Sequence, residues 1–419
     1  MPTPSLILVP ARFKTGKLYT PLATTSDGTV LGASGDFNVT RATTATRVNA
    51  SGYIESVASG IPRLDYFASG GTVGCPALLV EPSGSNLLLQ SAGFEVSGTW
   101  SPTNNTITTG STAAFTAPDN STNADLITAS ISGATGVGQN TTIASGTYTL
   151  SVFAKAGNYG LFRIGNVSSA ARAAWFNLNA GVVTGTVNGG TASMQNYGNG
   201  WYRCIYTSSG MVSGNTFFAL SDVPNSTNSV SGSSIYLWGA QLETGSVATS
   251  YIPTTTAAVT RNADVISVSG AVSGSIGQAS GTIYAEVDIR NITAGKNILS
   301  TDDGSTSNRV SLFVDPSPNR LTAVISSGGT GTFVSGSITT GVHKIAVSYS
   351  SGDVQVFLNG GFLASGIPTL FPSVTRNNLS IGGRILSGVY GAFFNDRIRA
   401  AALYTTRLTN AELAALTTP

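Results

Sequence analysis

The stretch from Ile235 to Asp264, IYLWGAQLETGSVATSYIPTTTAAVTRNAD, constrains the fold more than any other. In its first half Ile235, Leu237 and Gly239 alternate with Tyr236, Trp238 and Ala240. A period of two in aromatic and aliphatic residues is the signature of a β-strand. The second half turns polar, with Pro253 followed by Thr254, Thr255 and Thr256. It reads as the closing strand of one β-domain running out into a linker. The chain then divides into a head segment over 1–91, a central β-domain over 92–253, a linker over 254–263 and a last β-domain over 264–419.

Length supports this division, because 419 residues exceed one ordinary core. Charged residues make up 10% of the chain, against about 25% in typical soluble domains. Lys and Glu are scarce while Gly, Ser and Thr abound, a balance that suits strands and tight turns rather than helix surfaces. The 17 Phe and 14 Tyr supply enough apolar mass for packed cores, which argues against disorder. The expected fold class is all-β: a head segment followed by two β-sandwich (jelly-roll) domains, with one short C-terminal helix.

Several partner classes are disfavoured. The formal charge of +2 has no basic block behind it, so nucleic acid is not an expected partner. No window approaches the roughly 18 apolar residues of a membrane span. The start, MPTPSLILVPARFK, has no positive region before its apolar run and reads as no secretory signal. Cys75 and Cys204 fall in different segments and are expected to be buried small hydrophobes rather than a disulfide.

In the head segment, Pro2, Pro4, Pro10 and Pro21 disfavour regular structure at the start. Short strands are expected over 37–41, 46–48 and 53–57, with turns at Ser34-Gly35-Asp36 and Asn49-Ala50-Ser51-Gly52. The runs 77–81 and 86–90 read as buried strands. The phrases FNVTRATTATRVNASGYIESVASGIPRLDY and ALLVEPSGSNLLLQS, covering roughly 36–91, resemble a module of bacteriophage virion proteins, tail-fibre and head-fibre proteins above all. Thr40, Arg41, Asn49, Glu55, Pro62, Arg63, Asp65, Tyr66, Glu81 and Asn86 carry the match. The charged members, Arg41, Arg63, Glu55, Asp65 and Glu81, read as structural ion pairs.

Strand candidates recur through the central domain at 125–128, 146–155, 160–165, 173–178, 200–207, 216–221 and 234–242, a spacing that predicts a sandwich. Tyr148, Leu150, Val152 and Ala154 share one face, and Asn199-Gly200 sets a turn before Trp201. The phrases GTYTLSVFAKAG, AAWFNLNAGVV, GNGWYRCIYT and YLWGAQLETGSVATSYIPT resemble jelly rolls of the carbohydrate-binding-module type. That resemblance implies sugar binding as a candidate activity.

The last domain offers strands at 282–289, 310–314, 321–326, 343–349 and 354–358, and a hairpin turn at Asn359-Gly360. Residues 408–416 read as a helix, with Thr409 and Glu412 forming a capping box and Leu408 against Leu413 a hydrophobic staple. Its phrases, GVHKIAVSYSSGDVQVFLNGGFLAS, LSIGGR and FNDRIRAAALYTTRLTNAELAAL, resemble concanavalin A-like, laminin-G-like sandwiches over about 280–417. Such domains often hold calcium, but Asp302 and Asp303 read as a solvated turn, not a set of six or more oxygens.

No catalytic constellation stands out. His343, the one histidine, sits in an alternating strand and reads as half-packed. Glu286 and Asp288 share a strand face with Arg290, as paired-carboxylate chemistry needs, but Asn291 stands where a third acid is required in sandwich glycosidases. Sugar recognition needs aromatic faces for C–H stacking and polar groups for hydroxyls. The candidates are Tyr159, Phe162, Trp175, Asn177 and Tyr202, with Trp175 and Asn177 turned outward by Phe176 and Leu178; Trp201 and Trp238 read as core.

The expected function, resting on the resemblances, is a non-enzymatic structural protein of a tailed-phage virion, a fibre, spike or appendage subunit without cofactor or metal. Its partners are other virion proteins, further copies of itself (a homotrimer by family expectation) and host-surface polysaccharide. The alternatives are a decoration or connector protein that binds only virion proteins, and a glycan depolymerase.

Overall fold

The structure, a computed structural model, describes residues 2–11, 13–20, 23–24, 30–31, 36–67, 73–166, 172–269, 272–292, 295–316, 319–386 and 389–419. Pro21 and the Ser34-Gly35 turn lie outside them. Among the described residues the fold is all-β, with two sandwiches and one short α-helix near the C-terminus.

The central sandwich packs two six-stranded sheets. One runs Asn105–Thr109, Asp125–Ala129, Ser234–Thr244, Gly146–Ala156, Trp201–Met211, Thr191–Gly198. The other runs Ser101–Thr103, Gly136–Thr141, Gly214–Leu220, Leu161–Asn166, Ala173–Asn177, Val182–Asn188. Leu150, Val152, Ala154, Phe176, Tyr206, Leu237 and Leu242 alternate into the shared core. Asn199 (φ 50°) and Gly200 (φ 78°) form the left-handed pair that a two-residue hairpin turn demands.

The second sandwich is built from both ends of the chain. In one sheet Asp396–Tyr404 pairs with Ser280–Ile289 along one edge; its other edge is shared by Leu6–Leu8 and Val73–Val80, the latter continuing to Arg63–Phe67. In the facing sheet Phe37–Thr40 pairs with Val265–Ser269. Leu8, Phe37, Val39, Leu64, Leu78 and Val80 therefore lie in one core with Ile283, Val287, Leu312, Val347 and Ile398. The division at 91/92 and 263/264 thus follows chain order but not the folding units: among the described residues, much of the head segment completes the last sandwich, and the jelly roll is inserted between its parts. The reason is size. Strands of three to eight residues cannot bury both faces alone, but they can extend an existing sheet.

Other differences are local. The run 86–90 is not a strand, because Gln90 takes φ 49° and turns the chain, although Leu88 still enters the jelly-roll core. Cys75 is exposed on the strand Val73–Val80, not buried. Cys204 is buried, which pushes its thiol well above the ordinary value. The helix spans Asn410–Thr417, with the reciprocal Thr409–Glu412 capping box in place and Leu408 and Leu413 buried in one cluster. Asn359 (φ 49°) and Gly360 (φ 81°) turn the hairpin between Asp353–Leu358 and Gly361–Gly366.

Candidate functional site

The two sandwiches meet through the opening stretch. Ala240 and Leu242 point into the jelly-roll core, so Gln241 and Glu243 point out. Gln241 Oε1 accepts from Ile252 N (2.7 Å), and Glu243 accepts from the Thr249 amide (2.9 Å) and hydroxyl (2.5 Å). These bonds fold residues 249–252 back along the strand. Asn86, fully buried, donates to the carbonyls of Ala240 and Ile252 and accepts from the amides of Leu88 and Leu242. Every hydrogen-bonding position of its amide is satisfied.

Beneath this lies a buried ionic cluster. Arg41 Nη1 is 2.8 Å from Asp264 Oδ1, Arg63 binds both Asp264 and Glu81, and Arg261 lies 3.4 Å from Glu81. Burial works against each charge. Even so, Arg63 and Arg261 hold the Glu81 carboxyl well below the usual range. Arg47–Glu55 and Arg397–Asp65 pair nearby, at 2.8 and 2.9 Å. The charged residues of the head phrase are structural ion pairs.

A third cluster seals the junction. Val48 and Ile54, on the hairpin of Ala45–Val48 and Ile54–Val57, pack on Phe153, Trp201, Trp238 and Tyr251. Trp201 and Trp238 are buried, but in this inter-sandwich layer rather than the jelly-roll core.

Beside the junction opens a cleft of about 760 Å³. One wall is jelly roll, with Tyr202, Gln195 and Asn196. The other wall comes from the second sandwich, with Phe67, Asp288, Arg290 and Arg399. The volume falls within the range of small-ligand sites. Arg399 is the extra residue of a β-bulge, since the partners of Glu286 and Val287 are Ala400 and Ile398. The bulge leaves Arg399 half-buried, 3.6 Å from Glu286.

Of the expected sugar-binding residues, only Tyr202 reaches this cleft. Trp175 occupies the face expected, opposite Phe176, but is 1% exposed. The loop after Leu220 covers it, and Trp175 Nε1 donates to Ser226 O at 2.8 Å. Tyr159 is half-buried and donates its hydroxyl to Asp222 O in the same loop. Phe162 is wholly buried in the jelly-roll core, 5.5 Å from the Phe176 ring. Asn177 caps its own turn, accepting from the amides of Asn179 and Ala180. These four make no common sugar platform. Phe67 and Arg290 were not nominated from sequence; only the pairing of distant strands brings them opposite Tyr202.

The remaining candidates resolve as structural features. His343 is buried, with Nε2 2.9 Å from Thr339 O and Nδ1 3.0 Å from Asn359 Nδ2. A carbonyl can only accept, so Nε2 carries the proton and Nδ1 accepts. Asp302 ends a strand, buried, and accepts from Gly304 N and Asn378 Nδ2. Asp303 caps the next turn through Ser305 and Asn308. Among the described residues, no three His, Cys, Asp or Glu side chains are grouped to hold a metal ion. Glu286 and Asp288 do share an outer face, and each faces an arginine, at 3.6 and 3.8 Å.

Comparison with solved structures finds partial likenesses at low TM-score. The CBM40 domain of the Ruminococcus gnavus IT-sialidase is 17% identical, with a TM-score of 0.31 over 34% of this chain and 85% of that one. The NanB sialidase of Streptococcus pneumoniae is 12% identical, with a TM-score of 0.31 over 36% of this chain and 27% of that one. The binding domain of botulinum neurotoxin DC is 11% identical, with a TM-score of 0.31 over 37% and 40%. No curated protein matches the chain. Residues 254–414, the C-terminal part of the second sandwich, match the family described as the concanavalin A-like lectin/glucanases superfamily.

Proposed function

We propose that this chain is a non-enzymatic structural protein of a tailed-phage virion, a fibre, spike or appendage subunit, that adheres to host-surface glycan. The observation that carries the adhesive part is the cleft, where the Tyr202 ring and the side chains of Gln195 and Asn196 face Phe67, Asp288 and Arg290. An aromatic ring for a sugar C–H face, here Tyr202, together with amide and charged groups for hydroxyls, is what a glycan site requires. The match of 254–414 to a lectin-containing superfamily supports the same reading. The virion assignment is supported by the head phrase over 36–91, and the homotrimer by that same resemblance. A glycan array probed with the intact oligomer tests adhesion: binding that Tyr202→Ala abolishes is the expected result. Immunogold labelling of phage particles tests location.

One observation favours a connector or decoration role instead. Phe333, Phe362, Ile367 and Leu370 are more than half exposed on the second sandwich, as protein-contact surfaces are. An array with no bound glycan, and recovery of the chain with other virion proteins, would select that reading. Depolymerisation finds less support, because Glu286 and Asp288 each sit against a guanidinium. Incubation with host polysaccharide should leave its size profile unchanged.

A further inference from the structure

We infer that the cleft selects acidic glycan, and that Arg290 receives the sugar carboxylate. This rests on the reading of the cleft as a glycan site.

Among the described residues, stacking rather than hydrogen bonding holds the Arg290 side chain. Its guanidinium lies 4.0 Å from the Phe67 ring centroid. Phe67 is itself fixed by Tyr197, at 4.6 Å between centroids, and by Arg397 at 5.1 Å. Among the described residues the carboxylate nearest Arg290, that of Asp288, is 3.8 Å from Nε, beyond hydrogen-bond reach. Nη2 is buried with no acceptor.

The other arginines at the junction contrast with this. Arg397 donates to Asp65 at 2.9 Å. Arg203 donates to Thr249 O at 2.6 Å and Ser151 Oγ at 3.0 Å. Arg63 donates to Asp264 and Glu81. Arg290, its side chain 19% exposed, keeps an oriented guanidinium on the wall of a cleft large enough for a short oligosaccharide, with the unmatched Nη2 buried behind it.

A guanidinium pre-oriented on an aromatic face offers a carboxylate charge-assisted hydrogen bonding from its exposed edge. The electrostatics agree. Burial and the neighbouring Arg397 cation lower the Arg290 pKa to about 10 against the pull of Asp65 and Asp288, so the group is still charged at neutral pH and its nearby carboxylates do not fully offset its burial. An anion in the cleft relieves that deficit. Arg399, at the rim, adds a second cation that Glu286 only partly offsets.

The test is a glycan array of neutral, sulfated, sialylated and uronic-acid oligosaccharides, followed by titration of the best ligand and its carboxyl-reduced form. The intact chain, Arg290→Gln, Arg290→Lys and Tyr202→Ala are compared, with thermal unfolding to verify folding. The intact chain is expected to bind the carboxylated form at least about ten-fold more tightly than the reduced form. Arg290→Gln abolishes that preference but keeps affinity for the reduced form; Arg290→Lys restores only part; Tyr202→Ala weakens both. Equal binding of carboxylated and reduced forms, a preference that survives in Arg290→Gln, or preference for sulfate overturns the inference and leaves the glycan reading standing. Binding to no glycan on the array overturns both.

Discussion

Arg63 and Asp264, 201 residues apart in sequence, are joined by two hydrogen bonds in the buried junction, from Nε and Nη2 to the two carboxylate oxygens. Arg41 and Arg261 converge on the same acid, and each ends a Val-Thr-Arg tripeptide, 39–41 and 259–261. The echo between these tripeptides is therefore physical. Removing the shared carboxylate leaves three buried guanidinium groups with Glu81 as their main counter-charge. Asp264→Ala is expected to destabilise the chain by about 3–5 kcal/mol, the cost typical of breaking one side of a buried pair. Urea unfolding measures it; a loss under 1 kcal/mol would show that the cluster is not the clasp between the chain's two ends.

The interleaved topology makes a second expectation. Residues 264–419 alone lack the strands that cover Val265–Ser269 and Asp396–Tyr404. Expressed alone, this fragment is expected to aggregate through those bare edges. Ser91 N donates to Thr254 O (3.2 Å) and Gln90 N to Thr255 O (2.7 Å), so the jelly roll's entry and exit lie side by side. A chain joining 1–91 directly to 254–419 through a short turn should fold, at reduced stability because Val48 and Ile54 lose their aromatic cover. Amide chemical-shift dispersion of the two proteins separates these outcomes; a dispersed spectrum from 264–419 alone would show that the N-terminal strands are dispensable to the second sandwich.

Legibility in the sequence followed the strength of local pattern. Gly146–Ala156 and Ser234–Thr244 were visible because alternating apolar residues line one face, and both Asn-Gly turns because only certain residues accept positive φ. Gly136–Thr141, Thr191–Gly198 and Thr330–Ser337 were missed; their Gly, Ser and Thr carry no period-two signal, and their neighbours in the sheet hold them extended. Trp175 shows the other limit. Alternation gave the correct face, but the covering loop around Ser226 is a tertiary fact. Tyr202 was nominated, whereas Phe67 and Arg290 meet it only through pairings between distant segments.

The linker offers a third test. Thr254 is buried, its hydroxyl donating to Leu88 O at 2.6 Å, and Val259–Arg261 pairs with Gly84–Asn86. Only residues 255–258 lie between these anchors. A protease needs a longer extended segment than that, so native chain is expected to resist cleavage between Thr254 and Val259 over hours. Rapid cutting there would show that the anchors open.

Trp175 and Tyr202 should part in their effects. Truncating wholly buried Trp175 removes packing against Phe217 and Ala219 and is expected to cost about 3–5 kcal/mol in stability. Half-exposed Tyr202→Ala should cost far less in folding and act on glycan binding instead. Thermal unfolding beside array binding distinguishes the two; equal destabilisation by both would place Tyr202 in the core rather than at a binding surface.

Asp125 gives the chain a pH dependence with a definite sign. Burial, aided by a hydrogen bond and the charge of the neighbouring Glu95, raises its carboxyl to about 7, against hydrogen bonds from the Thr109 hydroxyl and the Phe94 amide. An unfolded Asp titrates near 3.9, so between about pH 4 and 7 the folded chain keeps a proton that the unfolded chain has released. This group's stabilisation is complete below about pH 4 and is lost as pH rises toward 7, at up to about 1.4 kcal/mol per pH unit. Glu81, held low by its arginines, adds a slope of opposite sign only at the acid end of that window, below about pH 5.5, and adds it equally to both proteins. Urea unfolding at pH 4.5, 5.5 and 6.5 should therefore show the intact chain losing more stability with rising pH than Asp125→Asn, whose amide does not titrate. Parallel profiles for the two proteins would mean that Asp125 is ionised throughout and that its hydrogen bonds outweigh its burial.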